Sequence, residues 1–86
     1  MTAKEAIDNH LKARLEDTFG RAVSTMIIAS ATAQTGVQVF DPSVEDFMRL
    51  AQAVCFDSRV QDMWGRAGAE DALAQYRGMV SQGLVS

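Results

Sequence analysis

Few side chains in this sequence could perform chemistry. It has one cysteine and one histidine. Cys55 stands between Val54 and Phe56, a setting that suits a small buried hydrophobe, and no cationic neighbour in sequence would make its thiol a nucleophile. His10, between Asn9 and Leu11, reads as a solvated or interfacial ring. A carboxylate-bridged metal bundle wants Glu-x-x-His pairs turned inward, but the residue three before His10 is Ile7. Gly65-Arg66-Ala67-Gly68 lacks the strand before it and the Lys-Ser/Thr after it that a phosphate loop needs. Glu5, Asp8, Glu16 and Asp17 are spaced for a solvated face, while Asp41, Glu45, Asp46, Glu70 and Asp71 suit helix starts. The expectation is a chain with no catalytic group, metal or cofactor.

What remains is suited to contact. Trp64, beside Gly65 and Arg66, would lie close to a loop, where it and Arg66 could anchor a partner. The commoner role of such a ring is to close the end of a bundle. Met26, Met48, Met63 and Met79 fall at helical core spacing. Residues 50–66 resemble a helix-turn-helix in outline: a helix, a short turn, and a second helix with a polar start. That resemblance implies a dimeric DNA-binding regulator presenting Ser58, Arg59 and Gln61 to base edges. Ala51 matches the small residue expected against the turn. Cys55 stands where glycine is usual, however, and the next buried position falls on Gln61. Asp57 and Asp62 would repel phosphates, and eight Lys/Arg against eleven Asp/Glu give a net charge of −3, which disfavours general nucleic-acid binding.

Helices must position these residues. With 86 residues, 48% apolar and 22% charged, the composition fits a single globular domain over residues 1–86. No repeat, low-complexity tract or linker stands out, and glycine and proline divide the chain. Thr2-Ala3-Lys4-Glu5 fits a capping box. Ile7, Leu11, Leu15, Phe19, Ala22, Met26 and Ala29 then recur at helical spacing, with Asp8–Lys12 and Asp17–Arg21 as acid-before-base pairs. This spacing predicts one long helix, continuous or slightly bent at Gly20, stopping at Gly36 in a left-handed cap; the rival is a break at Gly20 followed by a strand through residues 23–28, where β-branched residues cluster. Val37-Gln38-Val39-Phe40 is expected to fold back on the core. Asp41 and Pro42 open a second helix, with Val44, Phe47, Leu50, Ala51 and Val54 inward and Glu45–Arg49 paired outside. A third, through Val60, Met63 and Trp64, stops at Gly65. After a turn at Gly68 a fourth buries Ala69, Ala72, Leu73, Tyr76, Met79 and Val80. The fold class is all-α, a long N-terminal helix and three shorter ones.

The long helix is the informative misfit. From Ala3 to Gln34 it would run about 48 Å, whereas a globule of this length is about 31 Å across. No charged residue lies between Arg21 and Asp41. A helix apolar on all sides is buried on all sides. Ser24, Thr25, Ser30, Thr32 and Gln34 interrupt it too often for a membrane span, so a second copy is the simplest cover. The sequence therefore points to a homodimer paired through Ala22, Val23, Met26, Ile27, Ala29, Ser30 and Ala33. Met1-Thr2-Ala3-Lys4-Glu5-Ala6 lacks the apolar stretch of a secretory signal, which suggests the cytoplasm. The functional expectation is a small non-enzymatic homodimer acting through protein–protein contacts, as a regulator, adaptor or accessory subunit. The DNA-binding regulator is the alternative.

Overall fold

The computed structural model describes residues 1–86 and is helical throughout, without strands. The first helix consists of α1 (Ala3–Ala6), a π-helical stretch (Ile7–Lys12) and α2 (Ala13–Phe19). It is followed by α3 (Arg21–Thr35), α4 (Val44–Cys55) and α5 (Ser58–Ser81). No helix is long and apolar enough to cross a membrane.

Thr2 and Glu5 form the capping box, each side chain accepting the other's backbone N–H. The π-helical stretch has a cause in the spacing. Ala3, Ile7, Leu11 and Leu15 stand four apart, and four residues of α-helix overshoot one turn by about 40°. Bonding to the fifth residue instead of the fourth winds the chain more slowly, and all four side chains stay buried.

The first helix does not run on to Gln34. At Gly20 the backbone takes φ 80° and ψ 172°, a combination essentially open to glycine alone, and the chain turns a corner into α3. The phase of the apolar residues explains the corner. Leu15 and Ser24 are nine apart, which on a straight helix puts them about 180° from each other. The corner instead turns Ser24, Ile27 and Ala31 into the core that holds Leu15, and all four are buried. Ala22, Met26 and Ala29, which a continued stripe would bury, are exposed. The expected overshoot disappears with the long helix: the radius of gyration is 11.6 Å and the extents are 30 × 24 × 20 Å.

Gly65 makes a second corner, φ 74° and ψ 163°, between two arms of α5, residues 58–64 and 66–81. The expected stop at Gly65 holds, but the second arm starts at once and Gly68 is helical. Together the corners expose a repeat that local spacing does not reveal. Arg14-Leu15-Glu16-Asp17-Thr18-Phe19-Gly20-Arg21-Ala22 aligns without gaps on Arg59-Val60-Gln61-Asp62-Met63-Trp64-Gly65-Arg66-Ala67. Arg, Asp, Gly, Arg and Ala are shared, and Leu/Val, Glu/Gln and Phe/Trp are conservative pairs.

Burial follows the same 45-residue offset: Leu15 and Val60, Ser24 and Ala69, Ile27 and Ala72, Ala31 and Tyr76 are buried in both copies. So do contacts. Arg14 donates to Gln75 Oε1 at 3.1 Å and Arg59 to Ser30 Oγ at 3.4 Å, so each arginine reaches the position in the other copy that its counterpart reaches from the opposite side. Such reciprocity is the mark of a two-fold relation. Part of the cover that the charge-free segment needs therefore comes from within the chain.

Helix α4 packs against both α3 and α5, burying Phe47, Leu50, Ala51, Val54 and Cys55. Its cap is Ser43, in a capping box with Asp46, and not Asp41. Gly36 ends α3 in the expected left-handed conformation. Val37 is buried, but Val39 and Phe40 are exposed. Met48 and Met79 are half-buried, whereas Met26 and Met63 are exposed and do not belong to the core. The surface ion pairs join Lys4 to Asp8, Arg49 to Asp46 and Arg66 to Glu70 in place of the expected pairs; the corner at Gly20 separates Asp17 from Arg21.

Candidate functional site

The residues expected at a pairing surface divide by the side of α3 they occupy. Ala22, Met26, Ala29, Ser30 and Ala33 are exposed, and Val23 is half-buried. Ile27 is fully buried in the chain's own core, so it is corrected from interface to core. The internal repeat supplies a control for this face. Outward positions on the second arm of α5 carry Arg66, Glu70, Asp71 and Arg77. Their equivalents on α3 are Arg21, Thr25, Met26 and Thr32. Beyond Arg21, one copy keeps a charged face in water while the other presents none.

Trp64 joins the two corners. Its Nε1 donates to Thr18 Oγ1 at 2.9 Å, and the Arg14 guanidinium lies 4.9 Å from the ring centroid. Thr18 Oγ1 in turn donates to the Arg14 carbonyl at 3.2 Å. The ring is half-buried against the core, the bundle-closing role. Arg66 is exposed and pairs with Glu70 at 3.3 Å.

The turn between α4 and α5 is held by Asp57, which caps α5. Its carboxylate accepts from Arg59 N at 2.8 Å, Nε at 3.0 Å and Nη2 at 2.7 Å. The Arg59 guanidinium thereby holds the Asp57 carboxyl below the usual carboxylate range. Gln61 Nε2 donates to the Cys55 carbonyl at 3.2 Å. Of Ser58, Arg59 and Gln61, only the exposed Ser58 has no side-chain partner within the chain, so two of the three residues assigned to base edges are already engaged. Cys55 is buried, which pushes its thiol up to about 11 and keeps it protonated at neutral pH.

Sequence reasoning passed over Arg14. It lies in a cleft of ≈ 440 Å³ between the π-helical stretch and the last turns of α5, where His10 and Asn9 face Gln75 and Tyr76. Its contacts, Trp64 and Gln75, lie far away in the chain, so local spacing could not mark it. Its match with Arg59 in the repeat could have. No group of three or more His, Cys, Asp or Glu side chains is placed to hold a metal ion. Comparison with protein-family models, with curated proteins and with solved structures found no match.

Proposed function

We infer that the protein is a small non-enzymatic homodimer that works through protein–protein contacts, as a regulator, adaptor or accessory subunit, with α3 as its pairing face. The observation that carries this reading is the contrast between the copies of the repeat: α5 solvates its outer face with charge and α3 beyond Arg21 does not. The partner is a second copy of the chain. Two chains of net charge −3 repel unless they meet where charge is absent, and α3 supplies that place. Ala22, Met26, Ala29 and Ala33 recur at steps of four, three and four, the seam spacing of paired helices. The small side chains of Ala22, Ala29 and Ala33 let two backbones approach, and an isologous contact needs only this one surface. Apolar area buried there stabilises the pair by about 25 cal/mol per Å², offset by the entropy of association. The DNA-binding alternative has less support, because Arg59 and Gln61 are engaged within the chain.

Light scattering tests this reading. The expected particle has twice the 9.3 kDa chain mass, and Met26→Lys and Ala29→Glu, both on the exposed face, should return it to one chain with helical circular dichroism intact. Ile27→Asp does not serve, since it would unfold the single chain. A wild-type particle of 9.3 kDa at every accessible concentration overturns the dimer.

A further inference from the structure

We propose that the cleft between the π-helical stretch and the second arm of α5 binds a small organic monocarboxylate, with Arg14 as the carboxylate anchor. The inference stands apart from the dimer reading and concerns different residues.

The repeat again provides the internal control. Arg59, the equivalent of Arg14, holds a carboxylate in a two-pronged grip: Nε to Asp57 Oδ1 at 3.0 Å and Nη2 to Oδ2 at 2.7 Å. The position equivalent to Asp57 in the first copy is Lys12. Arg14 therefore has the same place in the fold without a built-in carboxylate, and no ion pair in the chain involves it. A guanidinium carries five N–H donors; that of Arg14 donates to Gln75 Oε1 at 3.1 Å and lies beside the Tyr76 hydroxyl, which leaves donors free. Its Cζ lies 4.9 Å from the Trp64 ring centroid, so the ring covers it on one side. A guanidinium packed on one side, with donors left free, suits bidentate capture of a carboxylate.

Tyr76 also stands in the lining, with its side chain buried and its hydroxyl beside the Arg14 guanidinium. Burial pushes its pKa up, and the nearby Arg14 charge pulls it back. Ala13 and Met79 give the cleft apolar wall for a hydrocarbon body, and the side-chain amide of Asn9 adds a donor. Asp17 stands in the same lining and offsets the Arg14 charge. That balance disfavours multiply charged phosphates and fits an anion of single charge. The π-helical stretch that carries Asn9 and His10 is a backbone form found often at functional sites.

The test is a titration of the ¹⁵N-labelled full chain, followed by amide chemical shifts. The probes are hexanoate, its neutral isostere hexanamide, and inorganic phosphate. Hexanoate should move Asn9, His10, Ala13 and the Gln75 side chain saturably at millimolar concentration. Hexanamide should bind at least about tenfold more weakly, the worth of a charge-assisted hydrogen bond. Phosphate should give no saturable shift at these residues. Arg14→Gln should lose hexanoate binding. Because Arg14 also supports Trp64, Asp17→Asn at an exposed position provides an independent variant, expected to tighten hexanoate about threefold. The proposal is overturned if these signals stay still at about 20 mM hexanoate, if the amide or phosphate binds as well as the acid, or if Asp17→Asn leaves the affinity unchanged.

Discussion

The two copies of the repeat share a backbone corner but differ in what surrounds it. Around Gly20, a continuous first helix leads into α3, whose outer face carries no charge beyond Arg21. Around Gly65, a short arm capped by Asp57 leads into a helix with Arg66, Glu70, Asp71 and Arg77 in water. One arginine of the pair is satisfied by Asp57; the other, with Lys12 in the corresponding place, is not. The shared features are those that set the fold: a glycine that accepts positive φ, an aromatic ring before it, and apolar residues whose phase reverses across it. The features that differ lie on surfaces, where folding leaves the choice open and function can use it.

The most damaging way to break the comparison is at the glycines themselves. Gly20→Ala and Gly65→Ala should each cost about 1–3 kcal/mol, the strain of a side chain in this region of φ and ψ. An added Cβ would meet nothing within 4 Å at either site, so the loss is purely backbone. Urea denaturation measures it. If Gly20→Ala raised stability, the first copy would have to be a straight helix.

Asp57→Ala comes next, at about 1–2 kcal/mol for a lost N-cap, while Lys12→Ala at the equivalent position should stay within about 0.5 kcal/mol. The Asp57 carboxyl titrates below its usual range in the folded state. Its contribution is therefore full above that range and disappears as pH falls through the folded value. Acid titration of the denaturation midpoint should be shallower in the variant.

On the alkaline side the sign reverses. The Cys55 thiol is raised from 9.0 to about 11, so the folded chain holds that proton more tightly than the unfolded one. Stability is complete below about pH 9 and falls as pH rises toward 11; Tyr76, also raised by burial, adds to the fall. Cys55→Ala should flatten this limb of the profile. The smallest effect is a gain. Gly78 corresponds to Ala33 in the first copy, is helical, and has open space around an added Cβ. Gly78→Ala should stabilise by about 0.4–1 kcal/mol, read as a small rise in melting temperature.

The helical class, the Thr2 cap, the Gly36 cap and the buried face of α4 were legible because each is a local pattern. The corner at Gly20 was not, since glycine inside a helix costs only about 1 kcal/mol and the stripe through Ala22, Met26 and Ala29 continues plausibly beyond it. The competing set, Ser24, Ile27 and Ala31, contains a serine and so does not advertise itself as core. Its alignment on Ala69, Ala72 and Tyr76 would have exposed the phase reversal. At the candidate site, the charge-free stretch of α3 was readable from sequence alone, but which side of it faces water depends on the corner. Trp64 stands out in the sequence as a large ring beside a glycine, but its contacts with Thr18 and Arg14 are tertiary and leave no local trace.

The bond from Trp64 Nε1 to Thr18 Oγ1 acts as a latch between the corners. Neither helical elbow can straighten without stripping the other of its tie, so opening is shared and not local. Amide hydrogens of α3 and of residues 66–81 should then exchange with deuterium at one common free energy, as a single cooperative unit.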